Sequence, residues 1–106
     1  SNEDEKIIAP AINALKKKGY KIEGPFAADT IFLIQNRKKY NLILGMYHDQ
    51  VLSPIKTLNE YDAINITLGL PFLRISPDHG PNKKMINKNL SNPLSLIQAI
   101  KFLDQR

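Results

Sequence analysis

The 106-residue sequence has no cysteine, so it can form no disulfide, no thiolate metal site and no cysteine nucleophile. It also has no apolar run near the roughly 20 residues that a membrane-spanning helix needs. Its first residues include Glu3, Asp4 and Glu5, whereas a signal peptide begins with basic residues. We therefore expect a soluble, cytoplasmic protein with no membrane partner.

Several familiar catalytic motifs are missing as well. The sequence has no glycine-rich phosphate loop of the dinucleotide or P-loop type, no Gly-x-Ser-x-Gly nucleophile elbow and no pair of zinc ligands at helical spacing. With two histidines and ten acidic residues, the candidate metal ligands are His48, His79 and the carboxylates.

The sequence does contain enough apolar material for a core, together with an excess of positive charge. Hydrophobic residues make up 42% of the chain, and its length is typical of one domain or of part of a larger one. Fifteen Lys and Arg residues against ten Asp and Glu residues give a net charge of +5. This charge favours anionic ligands such as phosphates, with nucleic acid as the general alternative, and does not by itself choose between them.

Helical patterns lie near both ends of the chain. Residues 2–18 combine an acidic start, spaced apolar residues and three final lysines before Gly19, which predicts a helix with a glycine cap. Pro10 implies that this helix starts late or is kinked in its first turns. Asn92 and Pro93 predict the N-cap and first residue of a second helix, because apolar residues recur after them at helical spacing. These apolar residues are Leu96, Ile97, Ile100 and Leu103.

Short strands are predicted at residues 20–22, 41–47, 64–68 and 72–75. The segment 41–47 is apolar on both faces, as is typical of a buried parallel strand, and it leads directly into His48. Helices interleaved with short strands predict α/β layers, and ligands of such sheets bind beyond the carboxyl ends of the strands. We therefore expect a binding site near His48.

Two further segments lie between these elements. Asp29 and Thr30 predict the cap of a short helix that includes Phe32 and Leu33, with a role of Asp29 as a base being the alternative. Residues 77–92 show no apolar period and predict a long loop.

The densest polar cluster next to a predicted strand is His48, Asp49 and Gln50. A neutral imidazole there could ligate a divalent metal, and Asp49 could be another ligand, a base or a group that orients the histidine. The alternative is a hydrogen-bonded structural pair.

Lys56, Asn65 and Arg74 follow at equal steps of nine residues. Two cations and an amide could converge on one anionic ligand, because Arg offers a planar fork to phosphate and Lys a point charge. The alternative is three surface residues in loops.

Asp78, His79 and Gly80 open the predicted long loop. The histidine and glycine could approach a ligand through their backbone, or the three residues could form an aspartate-capped turn.

Four blocks of the sequence are informative when they are taken together. They are GPFAADTIF at 24–32, MYHDQVLSPIK at 46–56, INITLGLPFLRISPDHG at 64–80 and NPLSLIQAI at 92–100. In this order they resemble the C-terminal part of the PdxA family, the 4-hydroxythreonine-4-phosphate dehydrogenases. The resemblance implies an α/β fold with three αβα layers, part of the isocitrate and isopropylmalate dehydrogenase-like fold. It also implies that residues 1–106 are the C-terminal part of a two-domain subunit whose N-terminal part is absent.

The resemblance further implies an activity. It is the oxidation, with NAD or NADP, and decarboxylation of 4-phosphooxy-L-threonine to 3-amino-2-oxopropyl phosphate, in the synthesis of pyridoxal 5'-phosphate (vitamin B6). The family requires a divalent metal such as Zn, Mg or Co, and it forms a homodimer with a shared active site and no nucleic-acid partner. On this basis the chain alone is expected to be inactive.

Individual residues take roles by matching the family motifs. His48 matches a metal ligand, and Asp29 and Asp49 match active-site carboxylates. The matching substrate-binding residues are Lys56, Asn65 and Arg74, and those expected near the cofactor are His79 and Gly80.

The sequence departs from the family pattern at two places. Val51 stands where the family usually has glycine, which predicts a changed backbone path beside the ligand. The loop at 81–89 also differs and contains three lysines, so the choice between NAD and NADP stays open. Two alternatives to the dehydrogenase fragment are a non-catalytic α/β module that binds phosphate or nucleic acid and a stand-alone paralogue that serves as an interaction domain.

Overall fold

The computed structural model describes residues 2–78 and 91–105. They fall into two units, Ser1–Leu44 and Gly45–Arg106. The described part of the first unit is built from helices, and that of the second combines helices with a two-stranded sheet, which is an α/β composition as predicted. None of the helices in residues 2–78 and 91–105 combines the length and the apolar character that a membrane span requires.

The N-terminal helix begins as a π-helical turn at Asp4–Ile8 and continues as helix α1, Ala9–Lys17. Pro10 lies in the first turn of α1, where its missing backbone N–H is tolerated, so the regular α-helix starts late. Gly19 has a φ of 93° and donates its N–H to the carbonyl oxygen of Lys16 at 3.0 Å. The predicted helix and its glycine cap are therefore confirmed.

Ile12 of α1 is buried, with 7% of its surface exposed. It lies against Gly24, where an added Cβ atom would come within 3.3 Å of Ile12 Cδ1 and where φ is 135°. Both the close approach and the positive φ favour glycine at this position.

The strand predicted at residues 20–22 is wrong. The described part of the first unit contains no strand, and an unpaired strand would leave its backbone N–H and C=O groups without partners. The residues after this segment, Glu23 and Phe26, are held by side-chain contacts instead. The Tyr40 hydroxyl donates a hydrogen bond of 2.7 Å to Glu23 Oε2, and the Tyr40 and Phe26 ring centroids lie 5.6 Å apart.

Two short helices follow, α2 at Ala28–Ile31 and α3 at Ile34–Arg37. The predicted aspartate cap is wrong, since α2 begins after Ala27 and Asp29 lies inside its first turn. The Thr30 hydroxyl donates to the carbonyl oxygen of Ala27 at 3.3 Å, so it bonds back to the start of the helix. Two shorter helices thus replace the single predicted one, and Phe32 and Leu33, which were expected inside it, lie between them.

The buried strand predicted at residues 41–47 is also wrong, because the structure has no strand there. Leu42 and Leu44 are 80% and 71% exposed. Sheet hydrogen bonds need a neighbouring strand, and the strands in the described residues pair only with each other, farther along the chain.

Helix α4, His48–Asn59, was not among the predicted elements. Pro54 lies inside it, and an internal proline normally argues against a helix because it removes a backbone donor. The helix ends at Asn59, and the next residue, Glu60, has a φ of 47° and donates its N–H to the carbonyl oxygen of Lys56 at 2.9 Å. His48 therefore lies at a helix N-terminus and not at the end of a strand.

Strands β1, Ile64–Thr67, and β2, Arg74–Pro77, form an antiparallel pair. In their register Asn65 lies opposite Ser76, and Thr67 lies opposite Arg74. The strand predicted at 64–68 is confirmed, whereas the second strand lies two residues later than predicted.

The C-terminal helix, α5, spans Leu94–Asp104 and packs against both strands. Asn92 Oδ1 accepts the Leu94 N–H at 3.0 Å, so the helix begins one residue later than predicted but with the predicted asparagine bonded to its first turn. Ser95 and Ala99 are the buried residues of this helix. The apolar residues that predicted the helix are instead exposed; they are Leu96, Ile97, Ile100 and Leu103.

Candidate functional site

His48 and Asp49 form a close pair at the start of α4. Nδ1 of His48 lies 2.7 Å from Oδ1 of Asp49, and both side chains are more than three-quarters exposed. A carboxylate at this distance favours the tautomer with the hydrogen on Nδ1 and leaves the Nε2 lone pair available. This is the arrangement expected of a metal-ligating histidine whose ring is oriented by a neighbouring carboxylate.

The described residues do not by themselves form a metal site. In residues 2–78 and 91–105 no three His, Cys, Asp or Glu side chains are grouped so that they could hold a metal ion. His48 with Asp49 therefore fits one corner of such a site, and the other ligands would have to come from elsewhere.

Two contacts hold the segment before His48 against the first turns of α4. The Met46 N–H donates a hydrogen bond of 2.7 Å to Gln50 Oε1. Gly45 lies so close to Val51 that an added Cβ atom would overlap the valine side chain. These contacts fix the path of the chain as it approaches His48. The Val51 side chain packs directly on Gly45, where only a residue without a Cβ atom fits.

Lys56 lies in the last turn of α4 and forms an ion pair with Asp78, the residue that follows β2. Lys56 Nζ and Asp78 Oδ2 are 3.6 Å apart, and the two side chains are 34% and 16% exposed. The sequence singles out Asp78 only as the start of a loop, so it does not reveal this pairing.

The hairpin places Asn65 and Arg74 on one face. Side chains alternate along a strand, and cross-strand partners share a face, so Asn65 and Thr67 lie on the same side as Ser76 and Arg74. Arg74 Nη1 donates to Thr67 Oγ1 at 2.8 Å, which uses one of the five guanidinium donors. The opposite face carries the apolar residues of the pair.

The three predicted anion-binding residues are not all at one end of the hairpin. Arg74 begins β2, whereas Lys56 is bound to Asp78 beyond the other end of that strand. Arg74 and Asp78 are four residue steps apart along the chain, about 13 Å at about 3.3 Å per residue. Asn65 pairs with Ser76, midway between Arg74 and Asp78, so it lies between the Arg74 end and the end that Lys56 approaches from α4.

The other predicted residues are placed separately. Asp29 lies in α2 of the first unit and is exposed. His79 and Gly80 lie outside the described residues.

Tyr40 is held by contacts within the first unit. The hydrogen bond to Glu23 raises its pKa above the ordinary value of 10.0, and partial desolvation and the charge of Glu23 act in the same direction. Because its hydroxyl and ring already have partners, Tyr40 is a poor candidate for stacking on a nucleic-acid base.

Ser95 is a buried residue of the second unit that sequence patterns did not indicate as important. Its hydroxyl donates to the Ala63 carbonyl oxygen at 2.6 Å and accepts the Asp78 N–H at 2.8 Å. The available signal was a single serine at the start of a mostly apolar helix, with the small residue Ala99 one turn later.

The fold and the site together define an α/β chain with a histidine–carboxylate pair and cations suited to an anionic ligand. The family described as "Pyridoxal phosphate biosynthetic protein PdxA" matches residues 1–103. The chain belongs to this family.

Individual relatives agree with the family match. The chain is 50% identical over 100 residues to a 4-hydroxythreonine-4-phosphate dehydrogenase of Xanthobacter autotrophicus, covering 94% of this chain and 29% of that protein. A Roseobacter denitrificans protein of the same name is 48% identical over 94% of this chain and 31% of its own length. The chain thus spans about 30% of the length of the curated relatives it matches.

Two solved structures are similar to this chain. A 4-hydroxythreonine-4-phosphate dehydrogenase from Klebsiella pneumoniae has a TM-score of 0.72 and 35% identity, covering 95% of this chain and 31% of that one. A putative enzyme of the same name from Salmonella typhimurium has a TM-score of 0.75 and 38% identity, covering 99% of this chain and 32% of that one.

Proposed function

We propose that this chain forms the C-terminal part of a 4-hydroxythreonine-4-phosphate dehydrogenase subunit and contributes metal- and substrate-binding residues to its active site. The observation that carries the proposal is the His48–Asp49 pair at the start of α4, in a chain whose family match covers residues 1–103. The relatives' shared name supplies the substrate class.

In the proposed reaction, the hydroxyl-bearing carbon of 4-phosphooxy-L-threonine transfers a hydride to NAD or NADP, and the hydroxyl loses a proton. The resulting 3-keto acid then loses carbon dioxide, and the carbon that carried the carboxylate takes up a proton to give 3-amino-2-oxopropyl phosphate. Lys56 and Arg74 would bind the anionic groups of the substrate, and the amide of Asn65 would orient it. Asp29 and Asp49 are the proposed active-site carboxylates.

His48 would hold the divalent metal, a Zn, Mg or Co ion, through Nε2. Bound metal would lower the pKa of the substrate hydroxyl and polarise the keto oxygen. Asp49 would keep the imidazole in the ligating tautomer through the 2.7 Å contact with Nδ1.

A nicotinamide cofactor is proposed because the curated relatives are dehydrogenases. His79 and Gly80 are proposed to lie beside it, and both fall outside the described residues. We propose NAD as the cofactor. NADP is the alternative, because the segment 81–89 contains three lysines that could bind its additional phosphate.

We also propose that the chain belongs to a three-layer αβα subunit of the isocitrate and isopropylmalate dehydrogenase-like class, in a cytoplasmic homodimer with a shared active site and no nucleic-acid partner. The support is the extent of apolar surface that this chain leaves exposed, which includes Leu42, Leu44, Leu68 and Phe72. The rest of a subunit and its partner would cover such surface.

A graft tests the proposed function. This chain would replace the matching region of a full-length curated relative, and NADH formation from 4-phosphooxy-L-threonine would be measured with added divalent metal. We expect turnover by the graft. Absence of turnover in a folded graft, beside an active parent enzyme, would refute the assignment.

His48→Ala in the graft tests the metal role. Loss of a group that only orients a ligand costs about 10- to 100-fold, so we expect loss of the ligand itself to lower kcat/KM by more than about 100-fold and to lower the bound metal content. Ser53→Ala, an exposed change in the same helix, is the control and should leave both unchanged. Normal metal content in His48→Ala would exclude His48 as a ligand.

A further inference from the structure

The buried hydroxyl of Ser95 bridges the two chain segments at the open end of the hairpin, just before β1 and just after β2. Ala63 precedes β1 and Asp78 follows β2, and the hydroxyl bonds to the carbonyl of the first and the N–H of the second. Ser95 is 1% exposed, so water cannot readily replace either bond. The backbone of Asp78 is therefore fixed by α5.

This fixed backbone determines where the Asp78 carboxylate lies. The aspartate side chain is short and only 16% exposed, whereas Lys56 is long, flexible and 34% exposed. Of the two partners at 3.6 Å, the lysine has more rotamers to lose. The ion pair therefore restrains the ammonium group of Lys56, while the carboxylate of Asp78 keeps the position that its backbone sets.

Two opposing effects follow for an anion that binds Lys56. A placed ammonium group has already lost rotamer freedom and keeps further N–H donors, which favours binding. The Asp78 charge itself repels an anion, which disfavours binding. Removal of the Asp78 charge thus has opposite consequences depending on which effect is larger.

We propose that Asp78, held by Ser95, is a positioning residue that presets Lys56 for the substrate phosphate. The proposal rests on the proposed function, which assigns Lys56 to substrate binding. It adds Asp78, directly after β2, and Ser95, in α5, as residues that act on the substrate only through Lys56.

The test is a titration of the 106-residue chain with inorganic phosphate, followed by NMR. Fixing one flexible side chain in advance corresponds to roughly 2- to 12-fold in affinity, so Asp78→Asn should weaken phosphate binding by about that factor. Asp104→Asn removes an equal charge from an exposed position on α5 and should cause no weakening. Asp78→Glu restores the charge and should recover part of the loss.

Equal or tighter phosphate binding in Asp78→Asn would overturn the proposal, because repulsion would then be the larger effect. Unchanged binding in Lys56→Met would overturn it too, since Lys56 would not be a phosphate ligand. Ser95→Ala should weaken binding as Asp78→Asn does, and Ser95→Thr, which keeps the hydroxyl, should weaken it less. Circular dichroism of each variant identifies any that fail to fold.

A second measurement separates this proposal from the proposed function. In the graft, Asp78→Asn should raise KM for 4-phosphooxy-L-threonine by a similar factor and leave kcat within about twofold, because the group does not act on the reacting carbon. A fall in kcat with unchanged KM would overturn the positioning role. If the unsubstituted graft has no turnover, the proposed function fails, and the phosphate titration still decides whether Asp78 presets Lys56.

Discussion

Tyr40 shows how one side chain can organise a segment that has no regular structure. Its hydroxyl bonds to Glu23 and its ring lies against Phe26, so these two residues are held without a sheet. The sequence predicts a strand at 20–22 from residue type alone, and it cannot show that the available partner is a side chain and not another backbone.

The Tyr40 contact predicts a specific dependence on high pH. A pKa raised in the folded state means that folding favours the protonated phenol. The contribution to stability is therefore complete below pH about 10 and is lost as the pH rises through the raised pKa. Tyrosinate absorbance can be titrated in the unsubstituted chain and in Tyr40→Phe, and the difference between the two curves belongs to Tyr40. The midpoint of this difference should lie above pH 10. Glu23→Gln should lower that midpoint, and a midpoint unaffected by Glu23→Gln would contradict this account.

At the residue scale, the candidate site was predictable where one residue type carries the chemistry. The sequence indicates His48 beside Asp49, and the structure brings their side chains to 2.7 Å. It does not indicate Ser95, because a serine hydroxyl becomes important only when tertiary packing buries it between two backbone groups.

Among the elements, α4 is the clearest difference between prediction and structure. Pro54 argues locally against a helix, yet α4 continues through it. The Met46 bond to Gln50 and the packing of Gly45 on Val51 hold its first turns, and such contacts are not visible in local propensity. The helices α1 and α5 were predicted because their periodic apolar residues and end residues are local signals.

The contact between Gly45 and Val51 predicts a coupled effect on stability. Gly45→Ala would overlap Val51, so we expect it to destabilise the second unit by about 1–3 kcal/mol in urea unfolding. When Val51→Gly is combined with Gly45→Ala, most of this loss of stability should disappear, because the valine side chain that the new Cβ atom would overlap is gone. The control is Gly69→Ala, whose backbone has a φ of 84° and open space around it, so its cost should not depend on residue 51. Equal costs of Gly45→Ala with valine and with glycine at 51 would exclude the contact as the cause.

For the whole molecule, the segment 41–47 shows what a sequence pattern can mean when a chain covers about 30% of its relatives. Its apolar residues suit a buried strand, but a strand forms only where neighbours supply hydrogen bonds and cover its faces. In this chain Leu42 and Leu44 are largely exposed. The apolar pattern therefore indicates that the segment is suited to a buried sheet. In this chain the neighbouring strands and covering layers of such a sheet are not formed around residues 41–47.

Hydrogen exchange can decide whether that environment exists in a complete subunit. We expect the amides of residues 41–47 to exchange rapidly in the 106-residue chain and at least about tenfold more slowly in the graft, because neighbouring strands would then pair with them. The amides that pair β1 with β2 serve as the control, since their partners are present in both proteins. If residues 41–47 exchange equally fast in an active graft, the segment is not a sheet strand in the subunit. Its apolar character would then serve a contact made by side chains and not by the backbone.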